Sequence, residues 1–175
     1  MVKMTRLFKG FFVTLALLFS TSEAFSQGEI NVHAILNYND SLRSPCKGIK
    51  LFVSSDLGEP ERIKPTGDNL FDLTIKEGHV YKLSYSAKNS YPKKIDIDTR
   101  GMKPAEMDSL VEIELELTLI QEMKGFDTKL FDAPIGKMKF DNTQQKFVFD
   151  KAYTDDRNRQ IENEIKRIKE EEGED

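Results

Sequence analysis

Val111-Glu112-Ile113-Glu114-Leu115-Glu116-Leu117-Thr118-Leu119 places an apolar side chain at every odd position and a polar one at every even position. Successive side chains of a strand point to opposite faces, so this stretch predicts a β-strand with one dry and one wet face. The same period of two recurs toward the N-terminus. Ile95 and Ile97 alternate with Lys94, Asp96 and Asp98, while Tyr81, Leu83, Tyr85 and Ala87 alternate with Lys82, Ser84 and Ser86. Phe71, Leu73 and Ile75 enclose Asp72 and Thr74, and Ile49, Leu51 and Val53 follow Gly48. Ile30, Val32, Ala34, Leu36 and Tyr38 take one face of a further stretch, with Asn31, His33 and Asn37 on the other. Half-wet strands are the antiparallel habit. The six stretches predict a mainly β fold, an antiparallel β-sandwich of Ig-like Greek-key type, because one sheet alone would leave its apolar face in water.

The connections support that reading. Lys76-Glu77-Gly78-His79 is short enough for a hairpin turn, with Gly78 free to take a positive φ. Asn39-Asp40, Ser44-Pro45, Pro60, Pro65-Thr66-Gly67-Asp68 and Tyr91-Pro92 mark other turns or loops. After Gln121 the pattern loosens into a loop-rich connection around Gly125-Phe126-Asp127 and Phe131-Asp132-Ala133-Pro134. Met138 and Phe140 then face Phe147 and Phe149 across Asp141–Gln145, an additional hairpin that extends a sheet or seals a sandwich edge. From Thr154 or Asp155, either of which can cap a helix, Ile161, Ile165 and Ile168 recur at helical spacing. Asp155 with Arg159 and Glu162 with Lys166 are spaced as i,i+4 pairs. The isoleucine stripe is narrow, so this C-terminal α-helix is expected to be washed by solvent, with docking onto a partner or a second copy as the alternative.

The N-terminus speaks to compartment. Lys3, Arg6 and Lys9 precede the apolar run Phe11–Phe19, and small or polar residues end in Ala24-Phe25-Ser26. That order is a signal peptide, with cleavage expected between Ser26 and Gln27. The apolar run falls well short of the roughly 20 residues that a bilayer-spanning helix needs, so no stable membrane insertion is expected after cleavage. No Cys stands at the cut to accept lipid. The expected segments are a signal peptide over 1–26, a β-sandwich domain over 27–120, a loop and β-hairpin extension over 121–152, and a charged helix or tail over 153–175. Loss of three bases and one acid (Glu23) with the leader takes the formal net charge from −4 to −6. Such an acidic chain repels phosphate backbones, so nucleic acid is not an expected partner. Cys46 is the single cysteine and cannot form an internal disulfide. It reads as a small apolar residue beside Pro45, or more sharply as an intermolecular bridge or reactive thiol.

Three stretches carry a family resemblance. They are Gly48-Ile49-Lys50-Leu51-Phe52-Val53, Thr66-Gly67-Asp68-Asn69-Leu70-Phe71-Asp72-Leu73, and Gly78–Ser86 followed by Tyr91. Together, over Gly28 to Leu119, they resemble the carboxypeptidase regulatory-like domain, a transthyretin-like (prealbumin-like) β-sandwich of exported bacterial proteins. Two departures stand out. Asn69 or Leu70 replaces the usual Gly before the x-F, and Ser90 replaces the Gly before Tyr91. Asn tolerates the left-handed conformation that such a turn requires. The resemblance implies a non-catalytic accessory module that adheres, spaces or binds.

The residues themselves nominate no catalytic, cofactor-binding or metal-ligating group. His33 lies on a polar strand face and His79 in a turn, neither with an acid or Cys at a spacing that suggests a metal or relay. There is no G-x-S-x-G elbow, no H-E-x-x-H and no phosphate-cradling glycine loop. Glu112, Glu114 and Glu116 on one wet face and Asp96 and Asp98 on another would offer Ca²⁺ oxygen ligands if their strands were neighbours. Lys82, Lys93 and Lys94 stand ready to neutralise them instead. Asp40-Ser41-Leu42 and Asp108-Ser109-Leu110 fit a bacterial O-glycosylation pattern, making Ser41 and Ser109 candidate acceptors. Asn39-Asp40-Ser41 is also an N-glycosylation sequon in a eukaryotic host. The expected function is a periplasmic or secreted binding or structural accessory module whose partner is an envelope protein or glycan. The alternatives are a small envelope hydrolase using a carboxylate pair, and an assembly subunit docking through the C-terminal helix.

Overall fold

A computed structural model describes residues 28–38, 48–56, 58–102 and 111–173. Among the described residues there are nine strands: β1 (Glu29–Tyr38), β2 (Lys50–Ser55), β3 (Glu61–Ile63), β4 (Leu70–Lys76), β5 (Val80–Ser86), β6 (Lys93–Asp98), β7 (Val111–Leu119), β8 (Gly136–Asp141) and β9 (Lys146–Phe149). They form a three-stranded sheet ordered β4-β1-β7 and a six-stranded sheet ordered β3-β2-β5-β6-β8-β9. The expected alternation holds in detail: β7 runs buried-exposed from Val111 to Leu119, and Ile30, Val32, Ala34 and Leu36 of β1 are fully buried. One apolar cluster draws on both sheets, from Leu36, Phe71 and Leu117 to Leu51, Leu83, Ile97 and Phe140. The fold is therefore mainly β, with two sheets sharing a core.

Three expectations are corrected. The sheets are mixed rather than antiparallel, since β1 pairs with β7 in parallel, Ile30 opposite Val111, and β6 pairs with β8 in parallel, Ile95 opposite Gly136. Parallel partners need a long crossover. Here the second crossover runs from β7 through residues 120–135, which include a short 3-10 turn at Thr128–Phe131. Alternation marks which side of a strand is dry but not the direction of its neighbour, so sequence pattern alone could not see this.

The turn Lys76-Glu77-Gly78-His79 is not a hairpin. It carries the chain from the three-stranded to the six-stranded sheet, because β4 and β5 do not pair with each other. Gly78 takes a φ of +85° as the turn requires. The corner is held by Thr99, whose Oγ1 accepts from the His79 backbone N–H at 2.9 Å and whose carbonyl accepts from Gly78 N–H at 3.3 Å. The expected left-handed residue in the preceding turn is Asn69, with φ +62°.

The third correction concerns the C-terminal helix, α1 (Lys151–Glu172). It begins earlier than Thr154 because Asp150 caps it, its carboxylate accepting from Tyr153 N–H at 3.0 Å, and Gly173 ends it in the left-handed conformation. Nor is the helix washed on all sides. Ile161 and Ile168 are buried at 4% and 2% exposure in a second apolar cluster with Tyr91, Ile120, Phe126 and Phe131, and Ile165 packs against it. The stripe docks onto this chain's own 120–135 segment. The ion pairs also differ from those the spacing suggested: Asp155 pairs with Lys151, Arg159 with Asp156, and Lys166 with Glu170. The β8–β9 hairpin matches its expected facing, Met138 opposite Phe149 and Phe140 opposite Phe147, and extends the larger sheet. Gly136 opens β8 because a Cβ there would lie 2.9 Å from the Phe149 ring.

Truncating Ile168 to Ala removes a side chain with no water to replace its contacts. The expected cost is about 2–5 kcal/mol, measured as a fall in the urea-unfolding midpoint together with faster trypsin cleavage in α1 and in 120–135.

Candidate functional site

The outer face of the smaller sheet gathers the first group of titratable side chains. β1 lies in the middle, so His33 is flanked by Asp72 of β4 and Glu114 of β7. His33 Nδ1 stands 2.7 Å from Asp72 Oδ1, and Thr66 Oγ1 donates to Asp72 Oδ2 at 2.7 Å. The hydrogen bond to Asp72, aided by the charges of Asp72, Glu112 and Glu114, raises the His33 pKa above its usual 6.5. The Thr66 hydroxyl and then His33 hold the Asp72 carboxyl below its usual range. His79 likewise has an acid partner, Asp56, with Nδ1 to Oδ1 at 3.2 Å. Sequence spacing named neither of these acid partners. Both acids are distant in the chain, and cross-strand register brings them together.

The outer face of the larger sheet carries the second group. Asp96 of β6 lies between Lys82 of β5 and Lys137 of β8. Partial burial raises its pKa, with Lys82, Lys137 and Lys94 acting in the opposite direction. Two residues on, Asp98 is gripped by Arg100, whose Nε and Nη2 donate at 2.9 and 2.7 Å. That fork lowers the Asp98 pKa. The two carboxyls of β6 therefore sit in environments that push their pKa values apart. Glu112, Glu114 and Glu116 lie on the other sheet, so the neighbouring strands that a joint Ca²⁺ site with Asp96 and Asp98 required are not neighbours.

Lys93 does not face the acids, contrary to expectation. It is 6% exposed, and its ammonium donates to the Thr118 carbonyl at 2.6 Å. Burial lowers its pKa from 10.5 to about 8. A signal was present in the sequence, because Lys93 shares the parity of Ile95 and Ile97 and so points inward with them.

The helix cluster holds further groups that sequence reasoning missed. Tyr91, Phe126 and Phe131 stack with centroids 4.6 to 5.4 Å apart. The Tyr91 hydroxyl donates to the Met123 carbonyl and accepts from its N–H, each at 2.8 Å. Glu164 accepts from Asp127 N–H at 2.8 Å and pairs with Arg167, which also donates to the Gly125 carbonyl at 2.9 Å. Arg167 first, and then the Asp127 amide, pull the Glu164 pKa down to about 2. Arg157 reaches back to the Leu130 carbonyl. These bonds tie α1 to the crossover segment, and nothing in local spacing announces them.

Ser26, Gln27, Ser41, Ser109 and Cys46 lie outside the described residues, as does the 1–26 leader. Among the described residues no three His, Cys, Asp or Glu side chains converge as metal ligands, and no helix is long and apolar enough to cross a membrane. No protein-family model matches the chain, and no curated protein matches it in sequence.

Two titrations check this geometry. In Asp72→Asn the NMR-monitored pKa of His33 should fall back toward 6.5, since its main hydrogen bond is lost; an unchanged value would exclude the pairing. Lys93 has a lowered folded pKa, so the unfolded chain binds more protons between about 8 and 10.5 and stability should rise with pH through that window. Lys93→Met should flatten this rise in denaturant titrations, and a slope equal to that of the parent would count against a buried amine.

Proposed function

We propose that the chain is a non-catalytic, exported cell-envelope module with a transthyretin-like β-sandwich fold, acting by binding or spacing rather than by chemistry. One observation carries this reading. The titratable side chains that the fold gathers are committed to its own architecture: His33 to Asp72, Asp98 to Arg100, Glu164 to α1 docking and Lys93 to Thr118. What remains for a partner is the outer strand face of each sheet. The leader-like N-terminus supports export, and Ser41 and Ser109 are its candidate O-glycosylation sites. An envelope protein or glycan is the partner class, with no cofactor invoked.

A second reading, hydrolysis by a carboxylate pair, draws on Asp96 and Asp98, whose pKa values are displaced in opposite directions. Paired carboxyls of that kind can divide acid and base roles. Here, however, the Arg100 fork occupies both oxygens of Asp98.

Fractionation of native cells with N-terminal sequencing and intact-mass measurement tests the leading reading. Protein beginning at Gln27 in the envelope or medium is expected, and a cytoplasmic chain beginning at Met1 would overturn export. A mass equal to residues 27–175 removes glycosylation at both serines. Turnover of an envelope glycan that Asp96→Asn abolishes, without loss of folding, would replace the binding reading with the hydrolase.

A further inference from the structure

The two outer faces carry opposite charge. On the three-stranded sheet, Glu29 and Lys76 oppose each other at one corner. The remaining acids are Asp72 and the ladder Glu112, Glu114 and Glu116, and the inward partners on either side of each, such as Ile113 and Leu115, are buried. On the six-stranded sheet the outward positions of β2, β5, β6, β8 and β9 hold six lysines, Lys50, Lys82, Lys94, Lys137, Lys139 and Lys146. Three aspartates, Asp96, Asp98 and Asp141, share that face, and Asp98 is already neutralised by Arg100. Each face also has an apolar spot. Ile35, 47% exposed, sits beside Leu70 and Glu116 on the acidic face. Half-buried Phe52 lies between Arg62 and Ser84 on the basic one. Ile35 lies on the middle strand of its sheet among the acids, and Phe52 near one edge of the basic face. Apolar side chains set among charged ones are part of the anatomy of a protein contact surface.

We propose that copies of this chain associate head to tail, the acidic face of one lying against the basic face of the next. The occupant is a second copy because the complement of each face is present on the same molecule. A polyanion would satisfy only the basic face, and a polycation only the acidic one. The contact is heterologous, so every added copy leaves one face of each sign free and the assembly grows as an open stack instead of closing as a dimer. Its strength follows from its size. Three strands about 4.8 Å apart and some 30 Å long make a narrow face, at the low end of specific interfaces, so association is weak and concentration-dependent. Exposed charges supply much of the attraction, and salt screens them. The inference deepens the binding reading by naming a partner. A monomeric protein would remove it while leaving export and the absence of chemistry standing.

The test uses the full chain, expressed in cells that process it natively, in light-scattering and sedimentation measurements over a concentration series. In low salt the weight-average mass should climb past that of a dimer without a plateau. Raising ionic strength from about 0.05 to about 0.5 M, which shortens the Debye length to a few ångströms, should weaken association about tenfold or more. The variant E112K/E114K/E116K and the variant K50E/K82E/K139E/K146E, whose larger sheet then carries more acids than bases on its outer side, should each be monomeric alone. Mixed in equal amounts they should associate again, because one now carries two basic faces and the other two acidic faces. Recovery on mixing cannot come from misfolded chains, and circular dichroism confirms each variant's fold. A parent protein that stays monomeric throughout, association that survives high salt, or folded variants that fail to recover on mixing would each overturn the proposal. So would binding of a sulfated polysaccharide to the basic face of a strictly monomeric parent, which would assign that face to a polyanion.

Discussion

Strand β1 is hydrogen-bonded along both edges, to β4 on one side and β7 on the other, and its inward Ile30, Val32, Ala34 and Leu36 are completely buried. Most of the structure depends on that central strand. Each of Ile30, Val32 and Leu36 contributes on the order of 1.5–3 kcal/mol by leaving water, and Ala34 is small enough to let Phe71 and Leu115 close in across the register. The same pairing decides what the wet side looks like. Seating β7 in parallel beside β1 sets Glu112, Glu114 and Glu116 next to Asn31, His33 and Ile35. The acidic face and the His33–Asp72 pair are thus by-products of the core's register.

The parallel pairings create a problem that the second cluster resolves. A chain leaving β7 must travel to β8 in the other sheet, and that journey occupies residues 120–135. A segment of this length has too little regular structure to bury its own aromatic residues. Tyr91, Phe126 and Phe131 stack instead beneath Ile161 and Ile168 of α1. Polar bonds from Glu164, Arg167 and Arg157 satisfy backbone groups that the crossover would otherwise leave unpaired. The helix therefore covers the crossover, and its other side carries exposed ion pairs such as Lys151–Asp155 and Arg159–Asp156. Sheet edges are covered in a related way, with β9 beside β7 and β3 beside β4.

Charge follows from the same architecture. Burial of one side of each sheet puts the charged strand residues outward, with two exceptions: Lys93, which the start of β6 draws inside, and Glu61, which stands opposite Val53 at the exposed edge strand β3. β7 carries three glutamates and no base, whereas lysines lie on the strands of the larger sheet, so sorting strands between sheets also sorts charge. A chain of modest net charge thereby presents two faces of opposite sign.

The sequence alone determined most of the strands and which side of each is dry, because a two-residue period leaves no other way to bury Ile30, Leu83 or Ile113. It did not announce β3, whose three residues Glu61–Ile63 are too few to show a period. It also determined the β8–β9 hairpin, the helical stripe, and the left-handed turns at Asn69 and Gly78, since these rest on contacts within a few residues. Only the tertiary structure decided the direction of pairing, because parallel and antiparallel neighbours bury an alternating strand equally well. It alone turned the Gly78 turn into a corner between sheets and brought Asp72 to His33 and Asp56 to His79. It drew the isoleucine stripe of α1 onto this chain rather than into solvent. Each of these depends on what a distant segment offers at the moment of packing, and local pattern holds no record of that.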